Sequence, residues 1–106
     1  MIRYPAIIRH GGDPELTYLP DSEALDMLDS RDVSTEDYLI DSDGRMFSLI
    51  SDDSGLKAEM LAEVMPLHEL LGLVRAHAAN TGSCCVAKMY APTIEEAIKI
   101  IASLED

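Results

Sequence analysis

The stretch Tyr38-Leu39-Ile40-Asp41-Ser42-Asp43-Gly44-Arg45-Met46-Phe47-Ser48-Leu49-Ile50 constrains this chain most. Two runs rich in β-formers flank an Asp-Gly turn, and Gly44 takes a positive φ without steric cost, so the runs fold back as a hairpin. A lone two-stranded hairpin is barely stable in water and needs further strands or a covering helix. Further strands or a covering helix must therefore come from the rest of the chain.

Upstream, residues 2–10 carry the β-favouring Ala6-Ile7-Ile8, with Pro5 at a position that suits the start of a strand. Gly11-Gly12-Asp13-Pro14 breaks the run, and residues 15–19 resume it with Leu16 and Tyr18 on one face and Thr17 and Leu19 on the other. A first hairpin follows. Pro20 ends it, and Asp21 or Ser22 caps a short helix to about Asp29 that spaces Ala24, Leu25 and Leu28 helically. Residues 56–64 read as a strand in preference to a turn of helix.

The C-terminal third has helical periodicity. Pro66 opens a helix to about Asn80 that stops at Thr81-Gly82, and Leu67, Leu70, Leu71, Val74 and Ala78 share one face. Residues 83–90 follow as a strand, apolar on both faces where Cys84-Cys85-Val86-Ala87 opens it. Thr93 and Glu96 form a capping box for a last helix over about 93–104, with Ile94, Ala97, Ile98, Ile101 and Leu104 inward and Glu95 and Lys99 paired outside. The predicted fold is α+β: a small mixed, mainly antiparallel sheet of four to five strands, with two main helices (about 66–80 and 93–104) packed mainly on one face.

A chain of 106 residues, 47% of them apolar, supplies one globular domain spanning 1–106, burying roughly 65% of its unfolded surface. No secretory leader is visible at the N-terminus, no apolar run approaches the roughly 18 residues of a membrane span, and the only cysteines are adjacent; a cytoplasmic location is expected.

Charge narrows function further. The net charge is −12, and residues 13–53 hold thirteen Asp or Glu against Arg31 and Arg45 alone. Phosphate backbones are bound by Lys and Arg that displace counterions, so nucleic-acid binding is not expected. The acidic half is either a solubilising surface or a capture surface for a basic protein partner.

Residues 75–79, 82–88 and 91–97, together with the 39–44 turn, resemble a family of short uncharacterised bacterial proteins. The resemblance covers most of the chain and implies a bacterial, single-domain, stand-alone protein; that family has no assigned activity, cofactor or catalytic residue.

Candidate chemistry is sparse. Cys84 and Cys85 point to opposite faces of a regular strand, which is poor geometry for one metal, so buried free thiols are expected and neither metal nor cofactor is. His77 lies about 180° around its helix from His68, on the apolar edge, and is either a packing histidine or a base serving a nucleophilic Cys84 or Cys85. Asp41-Ser42-Asp43-Gly44 faintly resembles a calcium loop, yet aligning Gly44 with the loop's glycine puts Leu39 and Ile50 at ligand positions, so it is read as a turn. On the far side of the first long helix, Gly72, Ala76 and Ala79 make a stripe of small side chains, a candidate interaction surface or a solvated face. The chain is thus expected to be a small acidic cytosolic interaction or regulatory module without catalytic activity; the alternative is a small enzyme or thiol-dependent sensor using His77 with Cys84 or Cys85.

Overall fold

A computed structural model describes residues 2–29, 33–52, 55–82 and 89–104. Five strands form one sheet: β1 (Ala6–Arg9), β2 (Leu16–Leu19), β3 (Tyr38–Ile40), β4 (Arg45–Asp52) and β5 (Gly55–Val64). Their order is β2-β1-β3-β4-β5, and every pair among the described residues is antiparallel. The first hairpin pairs Ile8 with Thr17, the second pairs Leu39 with Phe47, and β1 joins them by pairing Ile8 with Leu39. Residues 55–64 are strand throughout.

Three helices complete the fold: α1 (Ser22–Asp26), α2 (Leu67–Asn80) and α3 (Ile94–Leu104). The alternation of strand residues assigns them to two clusters. Ile7, Leu16, Ile40 and Met46 face Leu70, Leu71, Val74, Ala97, Ile98 and Ile101, so the two long helices share one face. Ala6, Ile8, Leu19, Leu39, Phe47 and Leu49 face Leu25 of α1 on the other. The long-helix face is the larger core because α2 and α3 bring longer apolar stripes than five-residue α1 can.

The helix ends follow local chemistry. Asp21 caps α1 by accepting the Ala24 N–H at 3.0 Å. Pro66 stands just before α2 as its N-cap, one position earlier than expected, and Gly82 at φ +86° follows the Thr81 C-cap. Thr93 Oγ1 accepts the Glu96 N–H, and Lys99 pairs with Glu95 at 3.0 Å. Of the strand read over 83–90, residues 83–88 lie outside the described residues, while Met89 and Tyr90 are irregular.

The 41–44 turn is built on its aspartate. Asp41 is fully buried; Oδ1 accepts the N–H groups of Asp43 and Arg45, and Oδ2 those of Arg3 and the Arg45 Nε. Four donors on one carboxylate occupy the lone pairs a cation would need. Gly44 at φ +82° then lets Met65 donate to its carbonyl at 2.7 Å, and any Cβ there would sit 2.6 Å from Ile94 Cδ1. Glycine is needed both for the backbone angle and for the close approach.

Candidate functional site

A relay of polar side chains joins three residues that the sequence reading did not single out. His10 follows β1, Thr17 lies in β2 and Asp37 precedes β3. The β1–β2 register sets Thr17 opposite Ile8, hence diagonal to His10 on the same face; extending the β1–β3 register one step past Arg9 sets Asp37 opposite His10. The three side chains meet in a line. Thr17 Oγ1 lies 2.8 Å from His10 Nε2, and His10 Nδ1 lies 3.0 Å from Asp37 Oδ2.

Asp37 is only 5% exposed. Burial alone would raise its carboxyl, but the hydrogen bonds from His10, the Gly11 and Ser34 N–H groups and the Ser34 hydroxyl outweigh burial and bring it down to about 2. An ionised carboxylate only accepts, so His10 Nδ1 carries the proton and, in the neutral ring, Nε2 accepts from the Thr17 hydroxyl. His10, 24% exposed, opens with Thr17 onto a cleft of about 490 Å³ whose lining adds Ile8, Leu28, Val33, Asp13 and Glu15.

A second depression, about 370 Å³, lies on the same sheet face and is lined by Ile2, Tyr4, Ser22, Phe47, Ala58 and Met60. Met60 is half exposed. Burial pushes the Tyr4 hydroxyl's pKa up, and the charges of Asp26 and Asp21 add to the rise. The groove therefore has an apolar floor beside the α1 segment, whose Ser22 lines it and whose Asp21 and Asp26 carry negative charge.

The sequence-singled residues lie elsewhere. His77 is 3% exposed, and its Nδ1 accepts the Leu16 N–H at 2.9 Å, so the ring ties α2 to the edge strand β2 through a backbone donor. Cys84 and Cys85 lie outside the described residues. Gly72, Ala76 and Ala79 are exposed, and no described residue stands within 4 Å of where a Gly72 Cβ would be, so α3 makes no close approach there. Among the described residues, no three His, Cys, Asp or Glu side chains group as metal ligands, and no helix is long and apolar enough to cross a membrane.

Comparison with known proteins places the whole arrangement. Residues 4–101 match a family described as a protein structure with unknown function. The chain belongs to this family, DUF4144. An NMR structure of a protein from Shewanella amazonensis is similar over 100% of this chain and 92% of that chain, with 29% identity and a TM-score of 0.73. No curated protein matches the chain. The likeness to the DUF4144 family and to a bacterial protein agrees with the resemblance read from residues 39–44, 75–79, 82–88 and 91–97, and it assigns no chemistry to His10, Thr17 or Asp37.

Proposed function

We propose that this chain is a bacterial cytosolic interaction module that captures a basic protein segment in the Tyr4–Met60 groove. The observation that carries the reading is an open apolar floor, formed by Tyr4, Phe47, Ala58 and Met60, next to the α1 segment, whose Ser22 lines the groove and which carries the carboxylates of Asp21 and Asp26. The complementary ligand is a segment with an aliphatic or aromatic anchor flanked by Lys or Arg: the anchor fills the groove and the cations meet the carboxylates. The bacterial assignment is supported by the Shewanella amazonensis relative, and the cytosolic one by a cysteine pair unsuited to a spaced disulfide framework.

Titration with a Lys/Arg-rich peptide carrying one Phe or Leu, followed by calorimetry at low and high salt, tests the reading. Binding is expected to weaken with salt, to weaken again in Asp21→Asn/Asp26→Asn, and to be lost when Met60→Asp charges the floor. Affinity indifferent to salt and to all three substitutions would overturn it.

A further inference from the structure

We propose that Thr17 is a nucleophile served by His10 and Asp37, and that the cleft in front of it accepts small esters whose acyl part carries an ammonium group, aminoacyl esters being the simplest class. The inference is independent of the groove beside Tyr4. It rests on three side chains from three separate segments in relay order: a hydroxyl on a base, the base on a carboxylate, the carboxylate fixed by further donors. This is the geometry by which activated hydroxyl nucleophiles are recognised, whatever the fold or order along the chain. Exposure also grades along the relay, since Asp37 is enclosed while His10 and Thr17 face the cleft. The β1–β2 hairpin is already held by backbone pairing from Ala6–Leu19 to Arg9–Leu16, so the Thr17–His10 bond is not required to close it.

The step balances within the cleft. As Thr17 Oγ1 bonds to the ester carbonyl carbon, its proton passes to His10 Nε2 and the carbonyl π pair moves to oxygen. Collapse re-forms the carbonyl and breaks the bond to the leaving alkoxide, which takes the proton from His10. Water, giving a proton to the same nitrogen, then bonds to the acyl carbon; the bond from that carbon to Thr17 Oγ1 breaks, Oγ1 takes the proton back from His10, and the acid leaves. The substrate class follows from charge. Asp13 and Glu15 line the cleft, and among the described lining residues no Lys or Arg stands to meet a developing oxyanion. An α-ammonium group on the acyl part supplies that charge next to the carbonyl and pairs with the two carboxylates.

The test uses the whole chain with the p-nitrophenyl esters of glycine and of acetic acid near neutral pH. Nitrophenolate release is compared with the spontaneous rate, and peptide mass spectrometry locates any acyl group. The expected result is acceleration that favours the glycyl ester, an acyl group trapped on Thr17, retention in Thr17→Ser, loss in Thr17→Val, and a fall of about 10²-fold or more in His10→Gln. Asp13→Asn/Glu15→Gln should erase the preference for the glycyl ester while Thr17 is still acylated. A wild-type chain no faster than Thr17→Val, or acylation confined to other residues, overturns the nucleophile. Equal acceleration of the two esters overturns the substrate class. If Thr17→Val does not fold by circular dichroism, His10→Gln and the position of the acyl group in the wild-type chain decide.

Discussion

At the scale of single residues, buried polar groups carry the sharpest consequences. Asp37 has a carboxyl at about 2 in the folded chain against an ordinary value of 3.8. A depressed carboxyl contributes stability that is complete above its unfolded value and is lost as pH falls through the folded one. Wild-type protein should therefore lose about 2 kcal/mol between roughly pH 5 and pH 2 through this residue. Asp37→Asn should be less stable at neutral pH and show a flatter acid limb; urea midpoints measured across that range check both. His77 is a second case. His77→Leu should keep the fold by circular dichroism yet lose about 1–3 kcal/mol in urea, because the buried Leu16 N–H is left without its acceptor.

At the scale of elements, helix α2 shows how one element divides its faces. Leu70, Leu71, Val74 and Ala78 are buried at helical spacing, whereas Gly72, Ala76 and Ala79 look outward. Glycine inside a helix costs about 1 kcal/mol relative to alanine, and no described residue packs against Gly72 to offset that. Gly72→Leu should accordingly raise the melting temperature and stabilise by roughly 0.5–1 kcal/mol, with no change in sizing chromatography. A loss of about 1–3 kcal/mol instead would reveal overpacking against a neighbouring molecule. Gly44 is the contrasting glycine, because its positive φ and the nearness of Ile94 leave no room for a side chain.

At the scale of the whole molecule, net charge and its placement govern encounters. Of the thirteen acids between residues 13 and 53, Asp37 and Asp41 are buried and act as internal acceptors, and Asp43 pairs with Arg3 and Arg45. Asp13, Glu15, Asp21, Glu23 and Asp26 remain exposed, around the His10 cleft and along α1. With that field, no shift of DNA or RNA is expected in gels at physiological salt, and association with a basic partner should slow as salt is added. A salt-sensitive shift at micromolar protein would contradict the first expectation, and salt-independent association rates the second.

What the sequence determined by itself is what local periodicity and turn chemistry determine. The Asp43-Gly44 hairpin, the inward stripes of the two long helices and the Thr93 cap all depend on residues a few positions apart, so each was legible without a partner element, whereas residues 56–64 read as strand or helix until β4 paired with them. The candidate site was not. His10 read only as the end of a strand, and Asp37 as one acid among thirteen, because what joins them is the pairing of β1 with β3 across nearly thirty residues of chain. Asp41 likewise read as a turn residue, whereas one of its four donors arrives from Arg3, far upstream. His77 was placed on an apolar edge by its angle, but its acceptor role depends on where edge strand β2 lies relative to α2. Side-chain periodicity reports which face a residue takes; only the register of non-adjacent strands decides which residues share that face, and a hydrogen-bonded relay needs the second kind of information.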